Sequence, residues 1–176
     1  MSTQLTQAAF SSEALKFLDL LFEDLKTNGV EIRTDWVIDH LCYRTATESE
    51  YQILKNEFLK FSDLLIESPV NGRLISTYQL HKAIDFQGWS IHVVELPSPK
   101  KGKVTARGFE HIEVVCDVPF SELIQQYSHL KLDVSGLSKS INQELEICLG
   151  SRNIKFHHMT LYDVIQLEIA QQQPAN

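Results

Sequence analysis

Cysteine is scarce, and the sequence has no long hydrophobic run. The 176 residues include three cysteines, Cys42, Cys116 and Cys148, which lie far apart and form no CxxC pair. An odd number of dispersed thiols is typical of a reducing compartment rather than of a disulfide framework. No apolar stretch approaches the ~20 residues of a membrane-spanning helix, and the first residues lack a basic stretch followed by an apolar one. We therefore expect a cytoplasmic protein that has no membrane contact.

Positive charge is also in short supply. Sixteen Lys and Arg residues against 23 Asp and Glu residues give a formal net charge of −7. Non-specific nucleic-acid binding requires a cationic face, so nucleic acid is not an expected partner. The chain contains no glycine-rich phosphate loop, no HExxH and no GxSxG motif, which leaves nucleotide hydrolysis and serine-hydrolase chemistry without support. At 43% hydrophobic residues the chain has enough apolar surface for a buried core, and global disorder is excluded.

A helix is predicted near the N-terminus. Leu15, Leu18, Phe22 and Leu25 recur at spacings of three and four, the pattern of one buried helical face. Ser11 or Ser12 is the expected N-cap, and Asn28-Gly29 is the expected stop signal. We interpret this helix as a packing or dimerising element, so the chain is expected to be a monomer or a homodimer.

The remaining chain is predicted to contain the same unit twice. The unit consists of a strand, a helix and three further strands. In the first half the predicted elements are a strand over 36–45, a helix over 47–61, and strands over 63–70, 73–84 and 89–96. In the second half they are a strand over 109–116, a helix over 120–129, and strands over 144–149, 153–159 and 162–169, with 131–143 interpreted as a loop that contains an irregular strand. This order predicts an α+β fold of two βαβββ modules.

The expected domain organisation follows from this repeat. It comprises an N-terminal helix over 1–30, module one over 31–96, a linker over 97–108 and module two over 109–170. The linker carries Lys100, Lys101, Lys103 and Arg107. These cations are typical either of a phosphate-binding patch or of a solvated loop, and the second interpretation is the more common one.

The two halves match best at their polar residues. Each first strand carries a histidine after an acid, His40 in one half and His111 in the other, and each last strand carries a glutamate, Glu95 and Glu168. The separations are nearly equal, 95 − 40 = 55 and 168 − 111 = 57. Alternation along the strands lets all four side chains point into one concave interior. Two imidazoles and two carboxylates are a ligand set for a divalent first-row metal, although a buried glutamate also pairs commonly with an arginine such as Arg44 or Arg73.

Five stretches of the sequence carry a family resemblance: Asp39-His40-Leu41-Cys42-Tyr43-Arg44, Tyr78-Gln79-Leu80-His81, Val94-Glu95-Leu96-Pro97-Ser98-Pro99-Lys100, Phe109-Glu110-His111-Ile112-Glu113 and Phe156-His157-His158-Met159-Thr160-Leu161. They resemble the bacterial YecM family within the vicinal oxygen chelate superfamily, which includes glyoxalase I, methylmalonyl-CoA epimerase, extradiol dioxygenases and fosfomycin-resistance proteins. The resemblance implies two modules whose sheets curl around a shared cup, like a pair of half-barrels. It also implies a divalent metal (Zn, Ni, Mn, Co or Fe) bound by His40, Glu95, His111 and Glu168.

Several other side chains are candidates for the chemistry. Glu113 lies on the face of His111 and is the best candidate for a base that does not bind the metal, with Glu95 and Glu168 as the alternatives. Arg44 and His81 are candidates for substrate binding, and His81 could also act at the rim of the cup as an acid/base or a replacement metal ligand. One of His157 and His158 should line the cup, and strand alternation does not decide which.

Three functions are compatible with these residues. The first is a metal-dependent lyase, isomerase or epimerase that acts on a small oxygenated substrate. The second is an Fe(II) dioxygenase-like enzyme that uses two histidines and one carboxylate. The third is a metal-free protein that binds and sequesters a small molecule.

Overall fold

One continuous sheet of eight strands is built from two βαβββ modules, in a computed structural model that describes residues 5–172 apart from the side chains at 168, 169, 171 and 172. Module one consists of β1 (Val37–Arg44), α2 (Glu48–Phe58), β2 (Ser62–Val70), β3 (Arg73–Phe86) and β4 (Trp89–Pro97). Module two consists of β5 (Gly108–Val115), α3 (Phe120–Gln126), β6 (Leu132–Asp133), β7 (Leu145–Cys148) and β8 (Asn153–His157), with a 3₁₀ turn at Ser135–Ser138. Helix α1 (Gln7–Thr27) precedes the modules and helix α4 (Leu161–Gln172) follows them.

The strand order is the same in both modules when it is read outward from the centre of the sheet. The full order is β2-β3-β4-β1-β5-β8-β7-β6. Strand β1 pairs in parallel with β4, β5 pairs in parallel with β8, and β1 and β5 join the modules as antiparallel neighbours. This paired topology confirms the predicted α+β fold of two βαβββ modules. Within residues 5–172, no helix is long and apolar enough to cross a membrane.

Helix α1 packs against residues from both modules. Phe10 is fully buried, and its ring lies 5.0 Å from that of Phe58 in module one and 5.1 Å from that of Phe109 in module two, measured between ring centroids. Thr6 caps the helix by accepting a hydrogen bond from the Ala9 amide at 3.2 Å. The expected start at Ser11 or Ser12 is therefore wrong by several residues, while the predicted end at Asn28 is confirmed.

The predicted strand over 162–169 is wrong, because these residues belong to α4. The Thr160 hydroxyl accepts a hydrogen bond from the Asp163 amide at 3.1 Å and donates to the Asp163 carboxylate at 2.6 Å. The first of these bonds is an N-cap contact, which satisfies an amide group in the first turn of a helix. The fourth strand of module two is instead β8, and the short strand β6 lies in the region that was interpreted as mostly loop.

We expect Phe10→Ala to lower the free energy of unfolding by about 3–5 kcal/mol, because it empties a buried aromatic site shared by both modules. Leu20→Ala on the same helix is the control, since Leu20 is 48% exposed and should cost less than about 1 kcal/mol. Urea denaturation followed by circular dichroism measures both. Similar losses in the two variants would contradict the role given to Phe10.

Candidate metal centre

Two β-bulges place an acid beside a histidine in each module. In the β1–β5 pairing, Ile38 lies opposite Val114 and His40 lies opposite Glu113, which leaves Asp39 as the extra residue. Further along the same pairing, Cys42 lies opposite His111 and Tyr43 opposite Phe109, which leaves Glu110 as the extra residue. Consecutive side chains of a regular strand point to opposite faces, whereas a bulge redirects one of them. The bulges therefore let each acid reach the ring of the histidine that follows it.

These contacts set which nitrogen of each histidine ring carries the proton. The Asp39 carboxylate lies 2.8 Å from His40 Nδ1, and the Glu110 carboxylate lies 3.0 Å from His111 Nδ1. Ionised carboxylates only accept hydrogen bonds, so both Nδ1 atoms donate and both Nε2 atoms keep a free lone pair in the neutral ring. His157 repeats the arrangement with an amide, since its Nδ1 lies 3.0 Å from Asn142 Oδ1.

The three Nε2 atoms converge on one buried carboxylate. Glu113, whose side chain is 9% exposed, has oxygens 3.4 Å from His40 Nε2, 3.3 Å from His111 Nε2 and 2.6 Å from His157 Nε2. Despite these distances, none of the three Nε2 atoms makes a well-directed hydrogen bond to any residue that the structure describes. Glu95 joins the cluster through an oxygen 3.8 Å from His40 Nε2. The ligand atoms of His40, Glu95 and Glu113 all lie within 4.8 Å of one another.

The cluster requires positive charge. Burial raises the pKa of the Glu113 carboxyl, but the charges of His40 and Lys155 outweigh this effect and hold the pKa well below its ordinary value. Burial lowers the pKa of His40, yet the facing Glu113 and Asp39 carboxylates raise it well above its ordinary value. An ionised carboxylate in this pocket is stable only beside cations. Protons on the imidazoles supply that charge, and so would a metal ion that replaces them.

A lysine occupies one position where the resemblance implies a carboxylate. In module one Glu95 lies beside Cys42 in the parallel β1–β4 pairing, and in module two Lys155 lies beside Glu113 in the parallel β5–β8 pairing. Lys155 is thus the structural equivalent of Glu95, and its Nζ lies 3.3 Å from Glu113 Oε1. Module two therefore carries its carboxylate on the neighbouring strand, at Glu113, two residues after His111.

Four of the predicted site residues come together in this centre, namely His40, Glu95, His111 and Glu113. Arg44 lies next to it, because its Nε is 2.5 Å from the Glu110 oxygen that also contacts His111. His81 is not among the contacts of the cluster; its side chain is 49% exposed and its Nε2 lies 3.3 Å from Asp63. Glu168 lies in α4 and not on a strand, and its side chain is outside the described part of the structure.

Sequence analysis missed Lys155 as a member of the centre and left the choice between His157 and His158 open. His157 is buried, whereas His158 is exposed and stacks on Phe120 with ring centroids 4.1 Å apart. The available signal was the alternation Asn153, Lys155 and His157 on a strand that follows a hairpin. That signal was obscured because the strand was placed third in the module instead of fourth.

Asp39 has a second role besides orienting His40. The same carboxylate oxygen, Oδ2, that contacts His40 Nδ1 also accepts a hydrogen bond from the Leu161 amide at 3.0 Å, at the start of α4. The amide groups in the first turn of a helix have no partner within the helix, and a carboxylate is a favourable acceptor for them. The orientation of the His40 ring is therefore connected to the beginning of the last helix.

The donor atoms fit a divalent metal ion. Three buried imidazole nitrogens with free lone pairs, next to two carboxylates, are ligands that zinc, nickel and iron accept. The hydrogen bonds from Nδ1 to Asp39, Glu110 and Asn142 are the supporting contacts that metal-binding histidines usually have. Cys42 lies close as well, with its sulfur within 4.8 Å of ligand atoms of Glu110 and His111.

We expect Lys155→Met to destabilise the metal-free protein by about 3 kcal/mol, because it leaves the buried Glu113 carboxylate without one of its cations. The double variant Lys155→Met/Glu113→Gln should recover most of this loss. Lys139→Met is the control, since Lys139 is 44% exposed and its pairing with Glu144 should contribute less than about 1 kcal/mol. Denaturation in the presence of a chelator measures all three, and a double variant less stable than Lys155→Met would contradict the pairing.

Comparisons with known proteins agree with one another. A protein-family model described as "YecM protein" matches residues 6–152. "Protein YecM" of Escherichia coli (strain K12) is 26% identical over 176 residues, which cover 90% of this chain and 92% of that protein. An uncharacterized protein of Haemophilus influenzae is 37% identical over 83 residues, 47% of this chain and 42% of that protein. A solved structure named "Structural Genomics, Protein EC4020" superposes with a TM-score of 0.75 at 25% identity, covering 93% of this chain and 91% of that one.

Proposed function

The chain belongs to the YecM family, and from this premise and the geometry of the centre we propose that it is a metal-dependent enzyme of the vicinal oxygen chelate type. The proposed reaction class is a lyase, isomerase or epimerase reaction on a small oxygenated substrate. The observation that carries the proposal is the convergence of three buried Nε2 atoms that lack hydrogen bonds on the Glu113 carboxylate.

The proposed metal ligands are His40, Glu95, His111 and Glu113, with His157 facing the same carboxylate. Glu113 replaces Glu168 in the set that the resemblance implied, because it is the carboxylate that the structure brings to His40 and His111. A divalent ion held there supplies a Lewis acid that polarises a substrate oxygen. Asp39 and Glu110 keep the two histidine rings in the tautomer that can bind it.

Glu95 and Glu113 are suited to different roles. Glu113 lies against three imidazoles and Lys155, and these contacts keep its pKa well below the ordinary value, so it is a weak base. Glu95 is 17% exposed and touches the cluster only through His40, at 3.8 Å. We therefore assign proton transfer to Glu95 in addition to its place in the ligand set, and anchoring alone to Glu113. Lys155 beside Glu113 adds a fixed positive charge that would stabilise an oxyanion formed in the same pocket.

A dioxygenase-like enzyme is the second candidate. The observation that favours it is that His40 and His111 both face Glu113, which is the composition of a two-histidine, one-carboxylate iron site. Glu95 weighs against it, because a fourth protein ligand occupies a position that oxygen would need. A protein that binds its ligand without a metal has less support, because the contacts of all three Nδ1 atoms with oxygen acceptors are those that metal-binding histidines usually have.

We expect wild-type protein purified without chelator or affinity tag to contain about one divalent ion per chain, measured by elemental analysis. His111→Ala and Glu113→Gln should lose it, since each removes a ligand. His92→Ala, which changes an exposed histidine, should retain it, as should Glu168→Gln. If only Glu168→Gln loses the metal, the ligand set implied by the sequence resemblance is correct. If the wild-type protein binds no metal on titration, the proposal is contradicted.

We expect metal-dependent hydrogen exchange next to a carbonyl group, which Glu95→Gln should abolish because it removes the base while keeping size and an acceptor oxygen. The measurement is deuterium incorporation by NMR in D2O, with α-hydroxyketones, α-ketoacids, 2-oxoaldehyde–thiol adducts and acyl thioesters as substrates. If exchange survives in Glu95→Gln and disappears in metal-loaded Glu113→Gln, then Glu113 is the base and Glu95 is not. Oxygen consumption with Fe(II) and catechols would favour the dioxygenase instead.

A further inference from the structure

A cavity of about 440 Å³ lies beside the metal centre and is lined by cationic side chains. Arg44 at the end of β1 and Arg73 at the start of β3 form one side, and Lys100, Lys103 and Arg107 reach it from the segment between the two modules. Glu110 and Asn153 form the side toward the centre. A volume of this size suits a small molecule or one end of it.

The charges in this cavity are not balanced. Five cations line it against one carboxylate, Glu110, in a chain whose net charge is −7. Glu110 is already held by Arg44 at 2.5 Å and by His111 at 3.0 Å, and Arg107 pairs with Glu50 at 3.1 Å. Among the side chains that the structure describes, no carboxylate lies within 4.0 Å of the Arg73, Lys100 or Lys103 head groups.

The positive charges of these side chains destabilise one another. Burial, followed by the charge of Arg44, lowers the pKa of Arg73. Burial, followed by the charges of Arg73 and Arg44, lowers the pKa of Lys100. Arg73 is nevertheless fixed in place, because its Nη1 donates a hydrogen bond to the Ser98 carbonyl at 3.2 Å. Like charges kept close together in a partly buried pocket are stabilised by an anion that lies between them.

We propose that this cavity binds an oxyanion group, a phosphate or a carboxylate, through Arg73 and Lys100. Guanidinium groups bind such groups with paired hydrogen bonds, and an ammonium group adds a point charge. The identification of this anion as one end of the substrate rests on the proposed function; the anion site itself does not.

The position of the cavity indicates how such a substrate would lie. One oxygen of Glu110, Oε2, contacts both Arg44 Nε and His111 Nδ1, so a single carboxylate separates the cavity from the metal centre. In the β5–β8 pairing, Asn153 in the cavity wall lies beside His111. A short molecule with its anionic group at Arg73 and Lys100 would therefore present its oxygenated end to the centre. The substrate class is a small phosphorylated or carboxylated compound with a carbonyl or hydroxyl group nearby.

The test is calorimetric titration of metal-free protein with inorganic phosphate and, separately, with acetate, at constant ionic strength. Arg73→Gln and Lys100→Gln should each weaken binding about tenfold or more, because each removes a charge-assisted hydrogen bond. The matched controls are Arg33→Gln, an arginine that pairs with Asp35 and Asp117, and Lys101→Gln, the exposed neighbour of Lys100 that does not line the cavity. Both controls should bind within about twofold of wild type.

Each outcome supports or overturns the anion site. Tighter binding of phosphate identifies a phosphoryl group, and tighter binding of acetate identifies a carboxylate. Binding of neither probe overturns the proposal, and so does equal weakening in the controls. Lys100→Gln keeps the test decisive if Arg73→Gln fails to fold, because Lys100 is exposed.

Metal content measured on the same variants separates this inference from the proposed function. Arg73→Gln and Lys100→Gln should retain the metal. If the protein binds no metal but binds the anion in a way that depends on Arg73, the anion site is supported and the proposed enzyme function is contradicted. If the protein binds metal and neither variant changes anion binding, the anion site is contradicted and the metal centre is supported.

Discussion

The antiparallel pairing of β1 with β5 is the interaction on which the rest of the structure depends. It joins two modules that would otherwise be separate four-stranded sheets, and it brings His40 and Glu113 opposite each other. A regular pairing would leave Asp39 and Glu110 on the far face, where they would contact the helices and not the histidine rings. The two bulges thus cost backbone hydrogen bonds in the centre of the sheet but produce two oriented imidazoles, which is the use that bulges commonly have near functional sites.

The two modules share a backbone topology but differ in the charged residues at equivalent positions. Glu95 and Lys155 occupy equivalent positions, and Cys42 and Glu113 occupy the other equivalent pair. The result is one deeply buried carboxylate surrounded by cations and one more exposed carboxylate with few contacts. The contacts of Glu113 hold its pKa well below its ordinary value, and such a difference in environment is the condition under which two similar acids in one site serve different purposes.

The sequence predicted the fold and much of the centre because both depend on strand alternation, which a single sequence displays. His40, Glu95 and His111 follow from that alternation together with the repeat. The last strand of module two was misplaced because Ile165, Leu167 and Ile169 also alternate, while the Thr160-to-Asp163 capping signal, which decides for a helix, was not weighed. Because Asn153–His157 was therefore assigned to the third position, Lys155 was not recognised and the choice between His157 and His158 stayed open. The convergence on Glu113 depends on cross-strand register, and the spacing of residues along one chain does not contain it.

The shared carboxylate of Asp39 has a consequence for how occupancy of the centre is communicated. One oxygen, Oδ2, serves both the His40 ring and the first amide of α4, so a shift of the ring on binding an ion would change the acceptor available to the helix. Linkage is reciprocal: if the ion stabilises the start of the helix, an ordered helix tightens binding of the ion by the same factor. Order in the first turn of α4 and occupancy of the centre would then depend on each other through this one carboxylate.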